Sequence, residues 1–161
     1  MLKLYDGMSL YHGSYCEVRM PDLAKCAKGK DFGRGFYLTT LRTQALARAK
    51  NKCNFEGGAP TILAYQFDEE ELANLNVKYF EKPTEEWANF IFANRNKRNK
   101  KMHNYDIVIG PVADDGVIAS IRLYETKVID LAEFVKRLEY AHPNIQYAFC
   151  TERAIALLQK I

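Results

Sequence analysis

Strand-like and helix-like segments are mixed irregularly along this chain, and their order limits the folds open to it. Short apolar runs predict strands at residues 10–12, 36–38, 61–67, 77–80, 107–109 and 145–150. Apolar residues at helical spacing, capping residues and turn signals predict helices after Thr40, Thr84 and Thr151 and over residues 130–140, where Pro143 ends the helix. Residues 68–75 are predicted to form a turn or short helix. No regular strand–helix–strand repeat connects these segments. We therefore predict an α+β fold rather than a doubly wound one.

The chain length favours one domain spanning residues 1–161, which is large enough to bury a core without disulfides. The four cysteines form no CxxC pair, and His103 and His142 lack metal-ligand spacing, so no metal is predicted. We expect four free thiols, with a disulfide between two of the cysteines as the alternative. No signal peptide or membrane-spanning segment stands out, which predicts a cytoplasmic protein without a membrane partner.

The charge is mildly basic, with a formal net charge of +3. This permits an anionic partner such as NAD, nucleic acid or an acidic protein, and requires none of them. Residues 95–101 contain five Lys or Arg and no acid. Such a run is usually a solvated surface, but it also suits contacts to nucleic-acid phosphates. It has no interleaved aromatic residues on which bases could stack.

Three short segments place polar or aromatic residues on or beside predicted strands. They read LYHGS at residues 10–14, GRGFYLT at 33–39 and IQYAF at 145–149. Glycines at 33 and 35 stand directly before a strand, where glycine provides unusual backbone angles or lets a ligand approach closely.

This ordered set resembles the ADP-ribosyltransferase superfamily of the His-Tyr-Glu/Gln type. It looks most like an uncharacterised bacterial family of ADP-ribosyltransferase-like domains, with wider matches at residues 31–37, 105–114 and 146–149. The resemblance covers nearly the whole chain. It implies a split β-sheet core with flanking helices and a site for NAD as co-substrate.

The resemblance also implies roles for individual residues. Gly13 would meet the nicotinamide carboxamide with its main chain, Ser14 would add a hydroxyl contact, and His12 would hydrogen-bond a ribose. Tyr37 would stack on the nicotinamide ring, with Gly35 keeping its approach clear. Aromatic stacking of this kind contributes roughly 0.5–1.5 kcal/mol beyond burial.

Two further positions complete the expected site. Arg34 is a charge-assisted partner for the NAD pyrophosphate or for a substrate. Gln146 falls where many relatives carry a glutamate, and would bond the nicotinamide ribose.

Gln146 is the departure from the family pattern that matters most. Cleavage of the nicotinamide–ribose bond develops positive charge on the sugar, which a carboxylate stabilises and an amide does not. Glutamine therefore argues against chain-extending activity and leaves mono-ADP-ribosylation, NAD hydrolysis or loss of catalysis open. Glu152 suits a helix start better than catalysis, and Asp114 and Asp115 suit a turn as well as a site.

These observations predict an NAD-dependent mono-ADP-ribosyltransferase that modifies an unidentified protein or nucleic acid. Resemblance to bacterial relatives implies a toxin or phage-defence effector, with a small neutralising antitoxin protein as partner. Two alternatives stay open: an inactive module that binds NAD or ADP-ribose, and a transferase directed to nucleic acid by the basic run.

Overall fold

The computed structural model describes residue 4 and residues 7–98, 100–101, 103–140 and 144–161. Within these residues the chain is mixed α+β, with two sheets and six α-helices, as its segment order predicts. The strands are β1 Leu10–Ser14, β2 Phe36–Leu38, β3 Thr61–Gln66, β4 Val77–Tyr79, β5 Ile107–Pro111, β6 Ile145–Phe149 and β7 Gln159–Lys160. The helices are α1 Arg42–Glu56, α2 Glu69–Leu72, α3 Glu85–Arg95, α4 Asp115–Glu125, α5 Leu131–Glu139 and α6 Glu152–Ile155.

The two sheets meet at a single bridge. The three-stranded sheet has the order β1-β3-β7 and the four-stranded sheet the order β2-β6-β5-β4, with only β4 and β5 parallel. Between them, the amide of Tyr11 donates to the carbonyl of Thr39 at 2.7 Å, and the return bond measures 2.9 Å. In the described part of the chain this bridge, between β1 and the residue after β2, is the only main-chain pairing between the two sheets, so the sheets split on either side of it.

The four-stranded sheet separates two apolar cores. One core packs side chains of both sheets together, among them Leu10, Leu63, Leu38, Ile109 and Tyr147. The other core lies on the opposite face, where Val108 and Ala148 pack under α3, α4 and α5 through Trp87, Ile91, Val117, Ile121, Phe134 and Leu138. Because strand side chains alternate between faces, neighbouring residues of β2 and β6 enter different cores.

Helix capping explains several element boundaries. The side chains of Thr84 and Thr151 accept main-chain N–H groups at the starts of α3 and α6, as predicted. The expected cap at Thr40 is wrong: α1 begins at Arg42, and the hydroxyl that accepts from the Leu41 amide, at 3.1 Å, belongs to Thr39.

Two elements lie outside the sequence predictions, namely α4 and the short strand β7. The expected break at Pro143 falls outside the described residues. All four cysteines are described, and each is a free thiol. None of the helices in the described residues combines the length and apolar character needed to cross a membrane.

Candidate functional site

His12 lies on β1 beside the split between the sheets. Its ring stacks on Phe36 with centroids 4.1 Å apart, and its Nδ1 lies 2.7 Å from the carbonyl oxygen of Tyr37. Because a carbonyl only accepts, Nδ1 carries the proton and Nε2 presents its lone pair. Burial, followed by the nearby Lys52 ammonium, lowers the pKa of His12 from 6.5 to about 4. The ring is therefore neutral at pH 7, with Nε2 as its hydrogen-bond acceptor.

Lys52 reaches this acceptor from α1. Its Nζ donates to the carbonyl oxygen of Gly13 at 2.8 Å and lies 3.4 Å from Nε2 of His12. The helix packs directly on Gly13, since a Cβ there would lie 2.0 Å from the Ala45 carbonyl oxygen. Gly13 is thus fixed by helix packing, and its carbonyl already has a cationic partner. Burial and then the charge of Lys30 lower the pKa of Lys52.

Tyr37 extends from β2 towards the turn that precedes the strand. Its hydroxyl donates to the carbonyl oxygen of Gly33 at 2.7 Å and accepts from the Phe32 amide at 2.9 Å. Gly33 has a φ of +85°, a conformation that suits glycine and lets the turn close on the phenol. Burial raises the pKa of Tyr37 well above its usual value, so the phenol stays protonated and holds the turn in place.

Gln146 is buried at the start of β6, with 3% of its surface exposed. Its Nε2 donates to Oδ2 of Asp31 at 2.8 Å and lies 3.4 Å from the carbonyl oxygen of Pro111. The same Asp31 carboxylate accepts from the Ala113 amide at 3.3 Å and lies 3.4 Å from Nε of Arg95. The amide of Gln146 is therefore held by a buried carboxylate, a partner that the sequence analysis did not assign.

The structure joins the three expected catalytic residues through short links. Tyr37 and Gln146 both contact the segment at residues 31–33, while His12 bonds to the main chain of Tyr37. The two rings nevertheless approach β2 from different sides, because His12 stacks on Phe36, which enters the core between the sheets, whereas Tyr37 packs on the opposite core. His12 and Tyr37 therefore do not line one common face: His12 lies on the side of β2 that faces the core between the sheets, and Tyr37 lies on the other side.

Comparison with known families assigns the chain to a family. The family described as "Protein of unknown function (DUF3990)" matches residues 8–159. The chain belongs to this family. No curated protein and no solved structure matches the chain.

The DUF3990 match includes every residue of the expected site. It runs from just before β1 to the first residue of β7, so the split between the sheets lies inside the family domain.

Arg48, on α1, lies close enough to Asp31, Tyr37 and His12 to affect their electrostatics, and the sequence analysis assigned it no role. Burial lowers the pKa of its guanidinium, while the nearby Asp31 carboxylate and Tyr37 phenol act in the opposite direction. Its charge also contributes to the low pKa of His12. The sequence does contain a signal for Arg48. Positions 45, 48, 49 and 52 follow helical spacing, which places Arg48 and Lys52 on the face of α1 that packs against β1.

The remaining expected ligand contacts have other partners in the structure. The Ser14 hydroxyl is buried and accepts from the Cys16 amide at 3.3 Å. A Cβ at Gly35 would lie 3.0 Å from the Phe149 carbonyl oxygen, so close packing against the end of β6 already favours glycine there. Arg34 is exposed and lines a separate cavity.

The other acids considered for catalysis belong to helix starts. Asp114 caps α4 by accepting from the Val117 amide at 2.8 Å, and Asp115 and Glu152 lie in first turns. Asp31 is therefore the carboxylate that directly contacts Gln146. Among the described residues, no group of three or more His, Cys, Asp or Glu side chains is placed to hold a metal ion.

Proposed function

We propose that this chain is an NAD-dependent mono-ADP-ribosyltransferase with an ADP-ribosyltransferase-like split-sheet core. One observation supports the proposal: Tyr37 and Gln146, from two strands, both contact residues 31–33, and the neutral His12, from a third strand, bonds to the main chain of Tyr37. In this proposal NAD enters at the split, with His12 Nε2 accepting from a ribose hydroxyl and Tyr37 placed against the nicotinamide ring.

The reaction breaks the bond between nicotinamide nitrogen and ribose C1′. The bonding electron pair leaves with nicotinamide, which becomes neutral, and a lone pair of the acceptor forms the new bond to C1′ before the acceptor loses a proton to solvent. Positive charge develops on the sugar in this step. Asp31, 8% exposed and in contact with Gln146, is the carboxylate that we assign to stabilising this charge.

A second candidate is a module that binds NAD or ADP-ribose without turnover. The buried hydrogen bond between Gln146 and Asp31 favours it, since this bond occupies one oxygen of the carboxylate and directs the amide into the protein. Measurement of NAD binding and of nicotinamide release on the same preparation separates the two candidates.

The experiment uses NAD labelled in the adenine part, with the full chain, cell proteins and nucleic acids as acceptors. We expect nicotinamide release, label transfer and calorimetric NAD binding. Binding without release would select the module, and absence of both would remove the proposal.

Variants of Tyr37 test whether the ring contacts NAD. Tyr37→Phe and Tyr37→Ala both lose the two hydrogen bonds of the hydroxyl, but only Phe keeps the ring. Loss of stacking predicts that Tyr37→Ala binds NAD about three- to tenfold more weakly than Tyr37→Phe. Equal affinities would place NAD away from this ring.

The biological setting follows from the same proposal. We assign the activity to the cytoplasm, as a bacterial toxin or phage-defence effector that modifies a protein or nucleic acid. A small neutralising antitoxin protein is the expected partner, and co-purification with the product of a neighbouring gene tests for it.

A further inference from the structure

A cavity of about 320 Å³ lies between the loop at residues 28–34 and the end of α3 with the residues that follow it. Of the described residues that line it, none is His12, Gly13, Tyr37 or Gln146. Arg34, the expected partner of the NAD pyrophosphate, and Gly33, whose carbonyl accepts from the Tyr37 hydroxyl, both line it, so the cavity adjoins the site described above. The lining residues that carry charge are all cationic, namely Lys28, Arg34, Lys97, Lys100 and Lys101.

The walls of this basic cavity are packed against each other. Gly29 has a φ of +74°, and a Cβ there would lie 2.6 Å from Cγ of Lys97. At Gly33 the corresponding distance to Oδ1 of Asn94 is 3.0 Å. Two glycines of the loop therefore pack closely against side chains from the end of α3 and from the segment after it, and these contacts set the width of the cavity.

His103 joins the two walls and has no free ring nitrogen. Its Nε2 lies 2.8 Å from the Phe32 carbonyl oxygen, and its Nδ1 accepts from the Tyr105 amide at 3.1 Å. These partners fix a neutral ring with the proton on Nε2. The ring acts as a wall of the cavity, so recognition of a ligand falls to the cations.

The charge of the cavity is uncompensated within the described residues. None of its five cations forms an ion pair with a carboxylate there. The acid of the loop, Asp31, instead contacts Gln146, Ala113 and Arg95. The whole chain has a net charge of only +3, so this cavity concentrates positive charge, and an anion bound here would relieve the mutual repulsion of the side chains.

We propose that the basic cavity binds a phosphate-bearing group of a nucleotide, either free or at the end of a nucleic-acid strand. Lys and Arg are the residues that bind phosphate through charge-assisted hydrogen bonds. The volume is at the small end of ligand sites, which are typically about 300–1,000 Å³, and suits one nucleotide rather than a duplex. The apolar Leu23 and Cys150 provide a surface for the base or sugar.

Calorimetry with AMP, adenosine and inorganic pyrophosphate tests this site on the full chain. The double variant Lys97→Gln with Lys101→Gln removes two cavity charges. Lys82→Gln with Lys136→Gln removes two exposed charges elsewhere and is the matched control. We expect AMP and pyrophosphate to bind the parent, adenosine to bind about tenfold more weakly than AMP, and the cavity variant alone to lose about tenfold in AMP affinity.

The source of the phosphate is decided by a 5′-phosphorylated trinucleotide. Tighter binding than AMP assigns a nucleic-acid end, whereas equal or weaker binding assigns a free nucleotide. Three results would overturn the site: AMP and adenosine binding equally, both double variants losing the same affinity, or Tyr37→Ala abolishing AMP binding while the cavity variant keeps it. None of these readouts depends on nicotinamide release, so the cavity and the transferase proposal fail separately.

Discussion

The ammonium of Lys52, on α1, donates a hydrogen bond to the carbonyl oxygen of Gly13, on β1, at 2.8 Å. The same Nζ lies 3.4 Å from Nε2 of His12, so one cation contacts both residues that the family resemblance assigns to NAD binding. Any ligand that uses the Gly13 carbonyl has to displace or share this ammonium. Lys52 therefore holds His12 and the Gly13 carbonyl in place in the absence of any ligand.

The first prediction concerns Lys52→Met, which keeps most of the side-chain stem and removes the charge. Burial is the larger cause of the low pKa of His12 and the Lys52 charge the second, so we expect that pKa to rise from about 4 while remaining below 6.5. NMR titration of the imidazole measures this change. Lys50→Met, at an exposed position on the same helix, is the control, and an unchanged pKa in Lys52→Met would show that the ammonium does not reach the ring.

A second prediction follows from the protonation of His12 itself. Between pH 6.5 and about 4 the unfolded chain binds a proton at His12 that the folded chain does not bind. The stability contributed by the neutral ring is thus complete above pH 6.5 and is lost as the pH falls towards 4, at up to about 1.4 kcal/mol per pH unit. In urea unfolding, His12→Asn should flatten this slope relative to the parent. Parallel slopes for the two proteins would contradict the neutral buried ring.

The elements that the sequence predicted correctly are those indicated by residues close together in the chain. Thr84 and Thr151 cap their helices because a hydroxyl before an apolar helical face satisfies free N–H groups, and the apolar run at 107–109 forms a central strand. The sequence analysis missed α4, although Val117 and Ile121 lie at helical spacing and are buried, because the preceding acids were interpreted as part of a turn or a site rather than as a cap.

The candidate site was predictable only in part, because its decisive contacts are long-range. Gln146 and Asp31 are 115 residues apart, and no local pattern indicates their hydrogen bond. The approach of His12 and Tyr37 from opposite faces of β2 likewise depends on how the two sheets meet at Tyr11 and Thr39. The order of the three motifs therefore predicted which strands carry the candidate residues, whereas the directions of their side chains depend on long-range contacts that the motifs do not encode.

A third prediction uses that long-range pair. Gln146→Glu places a carboxylate where an amide donates to Asp31, so we expect a loss of about 2–4 kcal/mol in the free energy of unfolding at pH 7. Adding Asp31→Asn restores a donor opposite Glu and should recover part of that loss, measured as a positive coupling in a double-mutant cycle. Additive losses would show that the two side chains do not interact.

A fourth prediction concerns the Asp106 carboxylate, which is 1% exposed. It accepts from Nε and Nη2 of Arg153 at 2.8 and 2.5 Å, from Thr151 at 2.7 Å and from the Asn76 amide at 2.8 Å. The Arg153 hydrogen bonds are the main cause that lowers the pKa of Asp106 from 3.8 to about 2. The stabilisation of the folded chain by the ionised Asp106 carboxylate is complete above pH 3.8 and is lost as the pH falls to about 2.

Asp106→Asn tests this ion pair. We expect it to lower the free energy of unfolding by about 1–3 kcal/mol at pH 7, because the amide nitrogen of Asn would face donors that the carboxylate accepts from, and to weaken the acid dependence between pH 3.8 and 2. Chemical unfolding over this pH range measures both effects, with Glu81→Gln at an exposed position as control. A variant as stable as the parent at pH 7 would show that the buried carboxylate contributes little.

The fifth prediction is a stabilising substitution at Tyr65 in the core between the sheets. Its ring packs edge-on against Phe36, with centroids 5.6 Å apart, but its buried hydroxyl has no hydrogen-bond partner among the described residues. A buried hydroxyl without a partner costs roughly 1–3 kcal/mol. Tyr65→Phe keeps the ring contacts and should raise the free energy of unfolding by about 0.5–2 kcal/mol.

Tyr124→Phe is the matched control, since that hydroxyl donates to Glu85 at 2.9 Å and its removal should not stabilise the chain. If urea unfolding instead shows Tyr65→Phe to be less stable than the parent, the hydroxyl makes a hydrogen bond in solution and the argument from an unsatisfied group is wrong.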